Sequence, residues 1–585
     1  MPHSRLSIIA LAFTIAVLTA CGGGSGGSGG VSSPAMPPVM PPVTPPATPP
    51  VTPAPSGFDR PVNAAANAPL ASIDSATGKL FYGAYANQGQ TNTDHIIPDF
   101  SYAGYGGGGV ALPSYDFLPV RETLFPQAGD DLARVQAALD RVGALPVNAS
   151  GVRGVVLLTS GAYDISGTLS IPASGVILRG EGQGPAGTVL RATTTQADAI
   201  FIEATGAGGG DNPAAAADDR RVAITQSYVP VGTAKVEVAS AAGYAAGDKI
   251  SVRRTPNDFW LGTSGVNTAQ YGWEANRYDV GHQRTVTAVD GNTITFDVPL
   301  TDTIEDQYGG GEVYRIDTSG RLSQIGIENL RVQTRPEMIN ANRNRAVDAI
   351  EFTEVEQSWI RDVTVRYFNH GITFNAGVHY VTAQDVAHID PDFEVVGGNH
   401  YAFDFGSGGQ NLFNRCYSEK SRHAFTSGST PAGPNVFLDC YNKDGTNDSG
   451  PHQRWAAGTL FDNTADDLIR VQNRTTSGSG HGWAGAQQML WNGRYDEIVL
   501  QAPPGAMNWA VGNTGTRISG SFSPSEPDGI FESAGNNVTP RSLYLQQLED
   551  RLGAGAVNNV TKAVQRSGTI YTQLETWRGD GPANY

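Results

Sequence analysis

Cysteine is nearly absent, with three in 585 residues, which excludes a disulfide framework as the source of the fold. Charge is scarce as well, at 16% of residues, and positive charge is the scarcer sign: 39 Lys and Arg against 56 Asp and Glu, for a net charge of −17. Binding to a nucleic-acid backbone needs a basic surface. The balance therefore excludes nucleic acid as the main partner, but not an acidic glycan held in a locally basic groove. A comfortable membrane span is also missing, because the apolar run Leu6 to Leu18 is too short to cross a bilayer.

That short run has a different use. It follows Arg5 and ends in Leu18-Thr19-Ala20-Cys21, which resembles the bacterial lipobox, where the leader is cut before the cysteine and the cysteine is lipidated. Residues 1–20 are thus expected to be an export signal, with Cys21 the lipid anchor to the cell envelope, at the outer membrane. Residues 21–57 are Gly/Ser-rich and then Pro-rich, a composition that builds a semi-rigid extended spacer and no core. Folding chemistry begins near Phe58.

A repeat organises the rest. Asn-His-Gly-Ile-Thr-Phe at 369 returns as Asn-His-Tyr-Ala-Phe at 399, Arg-His-Ala-Phe at 422, Pro-His-Gln-Arg-Trp at 451 and Gly-His-Gly-Trp at 480. The histidines fall at 370, 400, 423, 452 and 481, at spacings of 30, 23, 29 and 29, the length of a supersecondary unit. Asn-Leu-Phe-Asn-Arg-Cys-Tyr (411–417) recurs as Asn-Val-Phe-Leu-Asp-Cys-Tyr (435–441), placing Cys416 and Cys440 one unit apart, and Ile-Gly-Ile-Glu-Asn-Leu-Arg-Val (325–332) is echoed at 358–365. These runs alternate apolar and polar residues and read as short strands. Stacked as coils of a parallel solenoid, equivalent positions lie about 4.8 Å apart, so the histidines are expected to form one stripe. Cys416 and Cys440 are expected as stacked core thiols, with a disulfide as the alternative.

Upstream, Asp130-Asp131 opens a helical pattern with Leu132, Val135 and Leu139 on one face and Asp130 as candidate N-cap. Gly154-Val-Val-Leu-Leu-Thr-Ser-Gly-Ala-Tyr163 and Gly175-Val-Ile-Leu-Arg-Gly-Glu-Gly182 follow. Together these resemble the opening of the pectate lyase-like superfamily, although Thr159-Ser160 stands where a proline is usual. The resemblance implies an all-β fold, a right-handed parallel β-helix with a helix capping its N-terminal end. It leaves the chemistry open, since that superfamily includes lyases, hydrolases, epimerases and fibres.

Residues 58–220 are therefore read as the N-terminal cap and first coils. From 221 to 318 the pattern changes to hairpins, with Asp290-Gly291-Asn292 as a strong turn, and reads as an inserted small antiparallel β subdomain that a short linker should replace without unfolding the rest. Its loop from Phe259-Trp260 to Tyr271-Gly272-Trp273 is expected either to stack on sugars over a groove or to pack internally. Residues 319–530 are the main β-helix. Residues 531–585 form a C-terminal cap, with one amphipathic helix at 540–553.

The richest chemistry lies at Lys420, Arg422 and His423, at His452, Arg454 and Trp455, and at His481 and Trp483. β-Elimination of a uronate needs the sugar carboxylate neutralised, a base for the adjacent proton, and a proton for the leaving oxygen. The expected roles are His452 as base, Arg454 as carboxylate neutraliser on the same strand face, and His423 as acid or alternative base. Lys420, Arg422 and His481 would bind substrate, with Trp455 and Trp483 as stacking faces. His370 and His400 read as structural. Asp390, Asp392 and Glu394 are a competing set suited to glycoside hydrolysis; these acids, and Asp444 with Asn447 and Asp448, also suit calcium, the one metal considered. A non-catalytic, carbohydrate-binding or adhesin-like solenoid is the third reading. The chain is expected to act as a monomer on an acidic polysaccharide.

Overall fold

The computed structural model describes residues 62–63, 65, 68–83, 97–208, 221–266, 270–275, 279–335, 338 and 344–585; the expected export signal, Cys21 and the expected spacer lie outside them. The main body is a right-handed parallel β-helix with three ladders. One sheet joins Gly450–Pro451, His423–Ser427, Tyr401–Asp404, His370–Phe374, Ala346–Thr353, Ala199–Thr205 and Leu169–Ser170, in that order. A second ladder begins Val120–Leu124, Gly154–Leu158, Val176–Arg179, Gly326–Thr334, Trp359–Arg366 and Thr382–Ile389, and runs on to Ile530–Glu532. The third opens at Gly161–Ile165 and Thr188–Ala192 and passes through Tyr417–Glu419, Tyr441–Lys443 and Ala465–Val471.

The bend between the second and third ladders has a local cause. Asn329, Asp362, Asp385, Arg415, Asp439, Asn463 and Asn492 all adopt left-handed backbone, with φ between 51° and 57°. All but Arg415 are Asn or Asp, the residues that tolerate this region best after glycine. The column repeats once per coil and sets the corner. Inside it, Phe374, Phe413, Phe437 and Phe461 stack at 4.9, 5.4 and 5.4 Å between ring centroids. The repeat at 411 and 435 is this register: Phe413 pairs with Phe437 and Tyr417 with Tyr441. Cys416 and Cys440 are buried free thiols of the same core.

Helix Leu132–Gly143 buries Val135, Ala138, Leu139 and Val142 against the first coils. It starts one residue later than expected: Asp131 is the N-cap residue, while Asp130 accepts from the Leu132 amide at 3.1 Å and ties down Ser166. At the other end the expected helix runs Leu543–Leu552 and ends at Gly553, and three more short helices follow it, Ala554–Val560, Ala563–Ser567 and Tyr571–Trp577. They cover the flank and return toward the early coils, where Thr364 donates to the Gly579 carbonyl at 2.6 Å.

Residues 222–315 form an antiparallel sheet in the order Val222–Ala223, Gly311–Arg315, Lys249–Arg254, Val280–Asp290, Thr293–Phe296 and Lys235–Glu237. Gly291, at φ 58°, supplies the turn between Asp290 and Thr293. The sheet has its own core around Val236, Ile250, Ile294 and Phe296. A second apolar cluster joins it to the coils: Trp260, Val266 and Trp273 from the insertion pack with Trp455, Ala457, Trp483 and Ala486.

Candidate active site

The histidine phrases do not align residue for residue. Cross-strand register places Asp348, His370, Tyr401 and His423 side by side. Tyr401 occupies the rung expected for His400, because His400 has left-handed backbone (φ 61°), is buried, and turns its Nε2 to the Phe393 carbonyl at 2.9 Å. The row that results is His370, Tyr401, His423, His452 and His481. Its ring centroids are 5.4 Å apart for His370–Tyr401, 4.8 Å for Tyr401–His423, 4.7 Å for His423–His452 and 5.0 Å for His452–His481. Tyr401 also reaches His452 directly, its hydroxyl lying 3.2 Å from Nε2.

Burial and cations hold the late rungs neutral. His423 is fully buried, and its Nδ1 donates to the Asp448 carbonyl at 2.6 Å while Nε2 accepts from Arg422. Desolvation, then Arg474 and Arg422, drives it well below the ordinary imidazole range. His452 is half-buried and strongly lowered by desolvation, then by Arg474, His423 and His481. His481 falls to about 4 through burial, Arg474 and Arg454. Tyr401 is pushed up to about 12, chiefly by burial and by Asp404. His370 is the exception: burial works against its charge, but the hydrogen bond and charge of Asp348 outweigh it and raise the value.

Several expected roles change here. His423 has no exposed surface and both ring nitrogens are engaged, so it holds Arg422 in place and does not meet a substrate as an acid. Arg454 does not share a strand face with His452: the strand ends at Pro451, and Arg454 and Trp455 both have left-handed backbone (φ 48° and 54°), so alternation stops before them. Arg454 instead donates to the carbonyl and hydroxyl oxygens of Ser479, each at 2.6 Å. The guanidinium acting on His452 is Arg474, buried and paired with Asp448, which also lies 3.7 Å from Arg470. Trp455 and Trp483 offer no stacking face, being 1% and 2% exposed; their indole N–H groups donate to Asp302 at 2.9 Å and to the Ser264 carbonyl at 3.0 Å. Arg422 is half-buried and Lys420 exposed, and neither has a carboxylate partner among the described residues.

Two of the three competing acids are committed elsewhere, and Glu394 is exposed. Asp390 accepts from Arg366 at 2.9 Å and Arg578 at 3.2 Å, and Asp392 pairs with Arg345 at 3.3 Å. Asp448 faces Arg474 and Asp444 is exposed; among the described residues no group of three or more His, Cys, Asp or Glu is arranged to hold a metal. A different carboxylate row crosses the same sheet: Glu203, Glu351, Thr373, Asp404 and Thr426 lie in register. Burial, then Asp348, pushes Glu351 up to about 7, and burial raises Asp404. The sequence reading missed this pair, as it missed Tyr401, Arg474 and the role of Asp448. Tyr401 stood inside a repeated phrase; Arg474 lies outside every repeat and carried no signal.

No protein-family model matches this chain, and no curated protein does. Among solved structures, the tailspike gp61 of Pseudomonas phage phi297 is similar at 14% identity over 69% of this chain, with a TM-score of 0.41. The tailspike gp49 of Pseudomonas phage LKA1 is similar at 16% identity over 69% of this chain and 74% of its own, with a TM-score of 0.37. A polygalacturonase from Erwinia carotovora is similar at 10% identity, covering 73% of this chain and 95% of its own, at a TM-score of 0.31. The chain spans 66% of the phi297 tailspike and 57% of a Geobacillus virus E2 protein. These are resemblances of fold at low identity, and the chemistry of this chain is read from its own side chains.

Proposed function

We propose that the chain is a polysaccharide lyase that cleaves a uronate-containing glycan by β-elimination. The observation that carries the reading is the contact between half-buried Tyr401 and a neutral His452, hydroxyl and Nε2 3.2 Å apart, near Arg422, a guanidinium without a carboxylate partner among the described residues. A half-buried cation in that state favours an anionic ligand. Arg422, with Lys420 at the rim, takes the uronate carboxylate and stabilises the enolate that forms when the neighbouring C5 proton leaves. Tyr401 oxygen takes that proton as its own proton passes to His452 Nε2. The C5 electron pair forms the C4=C5 double bond, the C4–O4 bond breaks, and the Tyr401–His452 pair returns a proton to O4. No proton is gained or lost overall. Binding of the anion offsets Arg474, and so restores to His452 part of the proton affinity that this cation removes.

One observation favours a second reading, glycoside hydrolysis. Glu351 and Asp404 lie two strands apart, about 9–10 Å by rung spacing, and burial holds Glu351 partly protonated near neutral pH, as a general acid requires. Incubation with pectate, alginate and glycosaminoglycan polymers separates the readings: ultraviolet absorbance together with new reducing ends is expected, whereas new ends alone would replace the lyase with a hydrolase. We further propose that the enzyme is exported and tethered through lipidated Cys21, so Cys21→Ser should move it from the detergent phase to the soluble fraction. Unchanged partitioning would remove the anchor.

A further inference from the structure

We infer that Trp273 is a positioning residue: from the inserted sheet it fixes the loop that carries His481, so that the insertion completes the reactive groove. The inference rests on the lyase reading for its catalytic meaning and on the following geometry for its substance.

His481 sits in a loop built from glycine. Gly478, Gly480 and Gly482 have φ of 58°, 81° and 57°, a region that favours residues without a Cβ. The insertion lies directly on them. Trp273, 4% exposed, donates its indole N–H to the Gly480 carbonyl at 2.7 Å. Gly480 approaches the Tyr271 backbone so closely that a Cβ would collide with the Tyr271 carbonyl, and a Cβ on Gly482 would come within 2.7 Å of the Trp273 ring. Beneath His481, a Cβ on Gly478 would strike the imidazole itself. The ring is thus bounded by its own loop below, while segment 271–273 presses on the glycines either side of it.

The loop also holds the cations. The Arg474 amide donates to the Gly482 carbonyl at 2.7 Å, the Gly482 amide to the Thr475 carbonyl at 2.8 Å, and the Arg454 guanidinium to Ser479. Pinning Gly480 and Gly482 therefore fixes His481 together with the guanidiniums that keep it neutral. Trp273 is braced in turn: it stacks on Trp260 at 6.0 Å, and Trp260 meets Trp455 edge-on at 4.8 Å beneath Arg254. Trp260 and Trp273, 1% and 4% exposed, thus serve the site from behind and not by stacking on sugar.

Trp273→Phe keeps a ring over Gly482 and removes only the N–H donor. With histidine labelled at the ring Cε1 and His481 assigned by His481→Asn, the variant is expected to titrate at His481 above the value near 4, toward the ordinary value of about 6.5. Turnover of whichever uronate polymer the wild type cleaves should fall roughly tenfold or more, since displacement of about 1 Å costs up to about 10²-fold. Gly480→Ala, which forces the loop from Tyr271, should shift His481 in the same direction and serves where Trp273→Phe does not fold. Unchanged His481 titration and turnover in both variants would overturn the inference. A shifted titration in a protein whose wild type cleaves no uronate polymer would sink the lyase reading and leave the positioning role standing.

Discussion

Replacing His452 with Ala lowers turnover of a responsive uronate polymer by about 10²–10⁴-fold, the usual cost of losing a general base, while the melting temperature moves by only a few degrees. The ring is half-buried and makes one hydrogen bond, to Tyr401, an interaction whose net contribution is about 1 kcal/mol. Tyr401→Phe should lose comparable activity, because the hydroxyl is the group that meets the substrate proton. The pH profile gives the second signature. In the free enzyme, burial and Arg474 lower His452, and His481 titrates near 4. A lowered value means that the neutral, basic form persists as pH falls, so the acid limb of kcat/KM should lie well below the value of about 6.5 for an unperturbed imidazole. Wild-type turnover in His452→Ala would return this residue to a structural ladder, and an acid limb near 6.5 would show that the cations around it do not act as the geometry implies.

The fold was legible because a solenoid repeats its own geometry. The 411 and 435 phrases are one coil apart in sequence and pair as Phe413 with Phe437 in the structure, so counting residues was equivalent to reading the register. The site was less legible for the same reason. Counting treats every copy as equal, yet a single left-handed residue at His400 moves Tyr401 onto the rung and hides the histidine. Alternation failed at His452 and Arg454 because it describes extended strands, and the strand stops at Pro451. Charges from outside the repeat, above all Arg474, have no phrase to mark them. Trp455 and Trp483 looked like sugar platforms because aromatic residues beside histidine suit one. Their burial is decided by the insertion, about two hundred residues earlier in the chain.

Replacing residues 221–318 by a short linker should therefore abolish the cooperative fold, contrary to what their separate strand pattern implies. The insertion has its own sheet and core, but its removal uncovers Trp455 and Trp483, now 1% and 2% exposed. A buried tryptophan hides roughly 150–250 Å², which at about 25 cal/mol per Å² gives on the order of 4–6 kcal/mol for each. Two such losses, at most about 8–12 kcal/mol since Ala457 and Ala486 of the coils keep part of the cover, fall within the 5–15 kcal/mol that holds a typical domain together. Polar contacts go with them: the Trp455 indole loses Asp302, the Trp483 indole loses the Ser264 carbonyl, and the Gly433 carbonyl loses Arg284. The expected result is a deletion variant without near-ultraviolet tryptophan dichroism and without a cooperative thermal transition. A milder pair, Trp260→Ala and Trp273→Ala, should lower the melting temperature in the same direction by removing the packing while leaving the inserted sheet in place. A deletion variant that keeps wild-type β-sheet dichroism and melts within a few degrees of the full chain would show that the coils close over Trp455 and Trp483 by themselves, and that the insertion is an appendage.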